Sequence, residues 1–159
     1  MMKVLFAASE CVPFVKTGGL ADVVGALPKE ILKNNVDVRV ILPLYREIPK
    51  SWRDKMTHKL YFYVNLGWRR QYCGVFEARI GGVIYYFIDN EYYFRRNNGL
   101  YGYYDDGERY AFFCKAVLDC LPLMDFQPDI LHAHDWQCAL LPVYLTYRYH
   151  YPQVRTVFT

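Results

Sequence analysis

Apolar runs and helix-period stripes alternate at both ends of the chain. Lys3 to Ala8 is a short apolar run and predicts a buried strand. Ser9 to Gly18 reads as a loop. Leu20, Val23, Val24, Leu27 and Ile31 then recur at i, i+3, i+4, i+7 and i+11, one face of a helix. Pro28 is predicted to kink that helix and Asn34-Asn35 to end it. Asp37 to Pro43 is the second predicted strand. Strand, loop, helix and strand in this order predict a βαβ unit with parallel pairing.

The middle of the chain follows a different rhythm. Lys59 to Leu66, Gln71 to Ile80 and Val83 to Ile88 are rich in strand-forming residues, and Gly81-Gly82 is placed to turn a hairpin. This predicts a β-rich insertion with antiparallel pairing. Asp89 to Asp106 is a long polar and aromatic loop, a length more often functional than idle. The alternation then returns. Tyr110, Cys114, Val117, Leu118 and Leu121 predict a helix ending at Pro122, and Asp129 to His134 a strand. A second helix is expected from Asp135, with Trp136, Leu140, Val143, Tyr144 and Tyr147 on one side, followed by a strand over Val154 to Thr159. An apolar strand with no helix after it reads as a sheet cut short, so the chain is expected to be part of something longer. The fold class is α/β: a Rossmann-like parallel sheet core carrying a β-rich insertion.

Composition narrows the function classes. The 159 residues suit one domain. With 53% hydrophobic and 22% charged residues, the chain is globular rather than disordered. A net charge of +3 argues against a dedicated nucleic-acid binder. No stretch approaches the roughly 20 apolar residues of a membrane span, and the start does not resemble a signal peptide. The five cysteines (Cys11, Cys73, Cys114, Cys120 and Cys138) lack paired spacing. Cys114 and Cys120 fall on one predicted helix, roughly 9 Å apart along its axis, too far for a bridge. All five are expected to be reduced thiols in a cytoplasmic protein.

Two short segments carry candidate chemistry. Lys16-Thr-Gly-Gly-Leu20 follows the first strand and opens the first helix. Gly18 and Gly19 let a ligand approach the backbone, the helix start favours an anion, and Lys16 adds a full charge. This suits a phosphate or pyrophosphate. It also suits a plain turn with Lys16 solvated and Asp22 complementing the helix dipole. The spacing is neither that of a P-loop nor GxGxxG. The second segment, His132-Ala-His-Asp-Trp136, lies at the end of a strand on the same edge of the sheet. Strand alternation puts His132 and His134 on one face. Three chemistries fit it. His132, His134 and Asp135 could hold a metal, though no fourth ligand is evident. Asp135 could cap a helix with Trp136 as a core anchor. Or Asp135 could hydrogen-bond sugar hydroxyls while Trp136 stacks on a sugar face. Arg95, Arg96, Asn97 and Asn98, among Tyr92, Tyr93, Phe94 and Tyr101, suit carbohydrate or nucleotide contact, or a solvated loop. His58 and His150 stand without context.

Taken together, these motifs resemble the N-terminal part of bacterial glycogen synthases and plant starch synthases. The resemblance rests on Ser9-Glu10, Lys16-Thr-Gly-Gly-Leu-Ala-Asp-Val-Val-Gly-Ala-Leu-Pro28, Asp37-Val-Arg-Val40 and Leu42-Pro-Leu-Tyr45. It continues through Leu100-Tyr-Gly102, Arg109-Tyr-Ala-Phe-Phe113 and Pro128-Asp-Ile-Leu-His-Ala-His-Asp-Trp-Gln137. It implies a two-domain GT-B glycosyltransferase that moves glucose from ADP-glucose, or UDP-glucose, to the non-reducing end of an α-1,4-glucan, with retention and without a cofactor or metal. It further implies that Lys16, Gly18 and Gly19 meet the donor phosphates and that His134 and Trp136 bind the acceptor sugar. Asp135 and Asp22 would carry catalytic roles. By the same resemblance, residues 1–159 are an incomplete N-terminal Rossmann-like domain without the C-terminal nucleotide-sugar domain. That piece alone is expected to be inactive, with Lys16 and a helix end as its only cationic groups for a leaving phosphate. The alternatives are a non-catalytic nucleotide- or glucan-binding Rossmann-like module and an unrelated Rossmann-like regulator.

Overall fold

A computed structural model describes all residues, 1–159, around one seven-stranded sheet of order β3-β4-β5-β2-β1-β6-β7. Its parallel core comprises β1 (Lys3–Ala7), β2 (Asp37–Pro43), β5 (Val83–Asp89), β6 (Ile130–Ala133) and β7 (Arg155–Phe158). The run Val38, Val40, Ile41 and Leu42 is buried on both faces of β2, as expected of a parallel strand covered by helices. The predicted insertion is a continuation of the same sheet. β3 (Thr57–Leu66) and β4 (Arg69–Ile80) pair antiparallel, and β4 pairs antiparallel with β5 through the Gly81-Gly82 turn. Both turn glycines have positive φ, 58° and 83°, the conformation that such a hairpin demands. β5, grouped with the insertion by its composition, is therefore also a core strand, lying parallel to β2.

α1 (Gly19–Leu32) runs unbroken through Pro28. Its buried residues are Ala21, Val24, Gly25 and Pro28, whereas Val23 of the predicted stripe is 48% exposed. Small residues decide this orientation. A Cβ at Gly25 would sit 2.2 Å from Val12 Cγ2 and 2.9 Å from the Val12 carbonyl oxygen. The helix thus lies directly on the Ser9–Gly18 loop, with Leu20, Leu27 and Ile31 as flanks of the contact. That loop has its own ties: Cys11 and Val15 bridge, and Val12 N–H donates to the Ala21 carbonyl at 3.1 Å.

α4 (Asp106–Cys120) buries the predicted residues Tyr110, Cys114, Val117 and Leu118, together with Arg109, Phe112, Phe113 and Ala116. Leu121, the last of that stripe, is buried in the 3₁₀ turn Leu121–Leu123. The helix expected from Asp135 begins later. A 3₁₀ turn spans Trp136–Cys138, and α5 is Leu140–Tyr147. Most of its predicted stripe faces outward: Val143 is 46% and Tyr147 80% exposed, Tyr144 alone packs partly buried against the core, and Gln137, Cys138 and Leu141 point inward. Two single-turn helices, α2 (Lys50–Arg53) and α3 (Glu91–Phe94), are too short for a helical period to reveal them.

The close contact at Gly25 yields a stability test. Gly25→Ala should destabilise the fold by about 1–3 kcal/mol through overpacking against backbone. Gly107→Ala, in the first turn of α4 with nothing within 4 Å, should be neutral or stabilise by up to about 1 kcal/mol. Urea unfolding of the two variants checks both.

Candidate functional site

The two candidate segments meet because β1 and β6 are neighbours in register, Ala7 opposite Ala133. Beyond that pair the His134 N–H donates to the Ala7 carbonyl at 3.0 Å. Both chains then leave the sheet from the carboxyl ends of their strands, where α/β sheets place their ligands.

On the β1 side the loop is folded by a buried carboxylate. Glu10 is 3% exposed, and its Oε2 accepts from the Thr17 N–H at 2.6 Å and the Thr17 hydroxyl at 2.7 Å. This turns Lys16-Thr-Gly-Gly outward ahead of α1. Gly18 is extended and caps α1 without a side-chain hydrogen bond, so the first-turn N–H groups face outward unpaired. A Cβ at Gly18 would meet only Glu10 Oε1, at 3.7 Å, and one at Gly19 would meet nothing within 4 Å. The chain's own packing leaves that side open. Lys16 Nζ sits 2.7 Å from the Asp22 carboxylate, with the two side chains 51% and 55% exposed. Such a pair contributes little to stability, so an incoming anion can compete for Lys16. Asp22 is thus the partner of Lys16 as well as the first-turn acid of α1.

On the β6 side, Asp135 adopts φ 63° and ψ 177°, a conformation costly to any residue but glycine. It is held there from both sides. Its N–H donates to the Thr159 carbonyl at 2.7 Å, and its carboxylate accepts from the Trp136 N–H at 2.7 Å. Asp135 is therefore a cap, as one reading expected, but of a 3₁₀ turn. Trp136 is not a core anchor: it is 51% exposed, set edge-on against Tyr110 at 5.2 Å and tilted on Tyr101 at 6.1 Å. His132 and His134 share a face, their rings stacked at 3.9 Å, with Phe6 4.7 Å from the first and 4.9 Å from the second. His132 Nε2 pairs with the Thr159 hydroxyl at 2.8 Å. His134 is 2% exposed and its Nε2 has no partner. Burial, then His132, pushes its imidazole down to about 4, so the ring is neutral near pH 7. No three His, Cys, Asp or Glu side chains converge anywhere as a metal-ligand set.

Leu20 and Val23 of α1, His134, Asp135, Trp136 and the end of β7 enclose an open cleft of about 580 Å³. Two residues of the motifs, to which no such part was assigned, shape the site. Glu10 shapes the glycine loop, and Tyr101 ties the long loop to the site through its hydroxyl, 2.7 Å from Ser9 Oγ. Their signals were position: Ser9-Glu10 directly follows β1, and Tyr101 lies in the one long aromatic loop. The charged residues of that loop are used within it. Arg96 makes a two-pronged bond to Asp105 at 2.5 and 2.6 Å, and Arg95 pairs with Glu91 at 3.0 Å. Asn97 accepts from Arg46, and the Asn98 N–H donates to the Tyr103 hydroxyl at 2.9 Å. Arg109, fully buried, holds the loop from α4 by donating to the carbonyls of Tyr93 at 2.8 Å and Leu100 at 2.9 Å. His58 and His150 are exposed and remote from this site. All five cysteines are free and buried, and burial raises the Cys11 and Cys114 thiols to about 12. They are not poised as nucleophiles.

A family model described as the starch synthase catalytic domain matches residues 3–159. Glycogen synthase of Anoxybacillus flavithermus is 58% identical over 99% of this chain, and that of Lachnoclostridium phytofermentans is 59% identical over 91%. The chain spans about a third of these curated relatives, 33% of the first and 30% of the second. Among solved structures, the catalytic domain of starch synthase IV from Arabidopsis thaliana, bound to ADP and acarbose, aligns with a TM-score of 0.88. It is 27% identical, and the match covers 99% of this chain and 33% of that one.

The buried His134 makes a signed pH prediction. Its folded value lies below the unfolded 6.5, so the unfolded chain binds more protons there between pH 6.5 and 4. The stability contributed by the neutral ring is complete above pH 6.5 and falls as the pH drops through that window. Between pH 7 and 4.5, His134→Gln should therefore lose about 2 kcal/mol less stability than the parent, measured by urea unfolding at the two pH values.

Proposed function

The chain belongs to the starch synthase catalytic domain family, and on that premise we propose that it forms the N-terminal part of a retaining glucosyltransferase acting on ADP-glucose and an α-1,4-glucan. One observation carries this reading: Leu20 and Val23 of α1, the helix whose uncapped start follows Lys16, line one cleft with Asp135 and the exposed Trp136. The helix start with Lys16 suits a diphosphate and Asp135 with Trp136 suits a sugar, and a nucleotide-sugar donor requires both.

The donor diphosphate lies across Gly18 and Gly19 against the first turn of α1, where unpaired N–H groups and the helix dipole favour negative charge. Lys16 moves from Asp22 to a phosphate oxygen. This frees the Asp22 carboxylate and places a cation where charge develops as the nucleotide leaves. Asp135 accepts from sugar hydroxyls, and its strained backbone fixes the direction of its carboxylate. Trp136 offers its exposed ring to a pyranose face. The unpartnered His134 Nε2 is a further hydrogen-bonding group for the acceptor sugar. UDP-glucose is the alternative donor, since nothing in this cleft selects a base.

A single lysine offers little stabilisation to a leaving diphosphate. That supports assigning the remaining donor contacts to a C-terminal nucleotide-sugar domain, within the two thirds of the relatives that this chain does not match. Residues 1–159 alone then bind without catalysing transfer. The same economy of charge favours a second reading, a nucleotide- or glucan-binding module with no chemistry of its own. Five unpaired thiols suit a reducing, cytoplasmic setting, and no helix is long and apolar enough to cross a membrane.

The test is incorporation of labelled glucose from ADP-glucose into glycogen by the native-length polypeptide. Lys16→Ala should lower transfer by about 10²–10³-fold, and the 159-residue chain alone should give none above background. No transfer by the native-length protein would favour the binding module. Full transfer by Lys16→Ala would remove the phosphates from the glycine loop.

A further inference from the structure

A second cavity lies apart from the cleft. It opens between the β3–β4 hairpin, α4 and the end of α5, has a volume of about 490 Å³ and shares no lining residue with the cleft. That volume is in the range of small-molecule sites. The hairpin contributes Asn65, Leu66 and Gly67 at its turn, and α4 contributes Lys115. Tyr144, Arg148 and Tyr149 close it from α5 and the residues that follow.

Charge in this cavity is one-sided. Two cations line it and no acid does. Arg148 is exposed, and its guanidinium pairs with no carboxylate. Its N–H donates to the Tyr144 carbonyl at 2.8 Å, which fixes the backbone at the end of α5 and leaves the side chain unused. Lys115 is held more firmly. Its Nζ donates to the Tyr149 hydroxyl at 2.7 Å, and that hydroxyl donates to Asp119 Oδ1 at 2.5 Å. The Asp119 carboxylate itself stands 3.2 Å from the ammonium and is not part of the lining. Tyr149 thus takes the short bond to the acid, and the ammonium stays at the cavity wall.

The lining selects its ligand. An ammonium, a guanidinium and an amide are strong donors, and together they call for a negatively charged group with several acceptor oxygens. A phosphate meets this need: a guanidinium takes two of its oxygens side by side, and an ammonium takes another. Leu66 and the two tyrosines supply the apolar part of the lining. A bare phosphate would leave that part empty, whereas a ring attached to it would cover it. An uncharged glucan offers nothing for the two cations, and a nucleic acid needs a longer basic stripe.

We propose that this cavity binds a small phosphate monoester, with its phosphate on Lys115 and Arg148 and its ring against Tyr144 and Tyr149. A phosphorylated sugar and a nucleoside monophosphate share this chemistry. The assignment goes beyond the donor and acceptor reading of the cleft and does not depend on it.

Amide NMR titration of the 159-residue chain tests this, with inorganic phosphate, glucose 1-phosphate and AMP as separate probes. At least one of the two esters should shift the amides of Gly67, Lys115 and Tyr149 and bind more tightly than inorganic phosphate; which ester binds better tells a sugar from a nucleoside. Arg148→Met, which keeps the stem of an exposed side chain, should raise the apparent Kd for these shifts about tenfold without changing the unfolding temperature. Arg148→Lys should recover part of the loss. Lys16→Ala should leave the shifts at Gly67 and Tyr149 as they are, which separates this cavity from the glycine loop. Shifts confined to Gly18 and Gly19, no shifts at all, or shifts at Gly67 that Arg148→Met leaves unchanged would overturn the proposal. Equal binding of inorganic phosphate and both esters would reduce the cavity to a place for an adventitious ion only, and would overturn it as well.

Discussion

The parallel pairing of β1 with β6 is the constraint on which the site depends. Ala7 opposite Ala133 ends both strands at one level, and the bond from His134 N–H to the Ala7 carbonyl carries the register one residue past the sheet. Segments more than a hundred residues apart in sequence, by the numbering of Lys16 and Asp135, thereby leave the sheet side by side. A slip of one residue in that register would turn His132 and His134 to the opposite face and separate Trp136 from Tyr101 and Tyr110.

Two buried charged side chains extend this order into the loops. Glu10 folds the glycine loop through Thr17, and Arg109 holds the long loop through two carbonyls and a 2.6 Å bond to Asp106. Neither is surrounded by solvent that could replace its partners, so each loop is fixed by hydrogen bonds that are expensive to leave unmade. Tyr101 joins the two loops through Ser9. The rigidity of the cleft thus derives from buried polar contacts, while the apolar sheet beneath supplies the stability that supports them.

These relations explain what was legible in the sequence. The core strands were readable because burial on both faces leaves continuous apolar runs, and the two site segments because chemistry at strand ends is local. The pairing of β5 with β2 was not, since strand composition does not encode the partner. The orientation of α1 was misread at Val23 because the helix is set by the small residues Ala21 and Gly25, which a hydrophobic stripe overlooks. α5 was misread for a related reason: the turn at Trp136–Cys138 rotates the following helix, so Leu141 faces inward and Val143 outward. The exposure of Trp136 depends on contacts across the fold with Tyr101 and Tyr110, and the internal pairing of Arg95 and Arg96 on how the long loop folds back on itself.

Violations of ordinary folding rules concentrate where function is proposed. Two non-glycine residues have positive φ. Asn35 lies in the turn after α1, a position its side chain tolerates. Asp135 lies in a region that side chains otherwise avoid. Of the four buried side-chain atoms without a partner, His134 Nε2 and Gln137 Oε1 flank Asp135, and Asp89 Oδ1 lies at the end of β5. The fourth, Tyr85 Oη, lies in the core beneath Phe14. Strain and missing hydrogen bonds persist only where the surroundings over-determine them. At Asp135 the surroundings are β1, β6 and β7, whose backbone bonds grip both ends of the segment. A strand paired on both sides can hold a carboxylate, an imidazole and an indole at its end in positions that solvent alone would not favour.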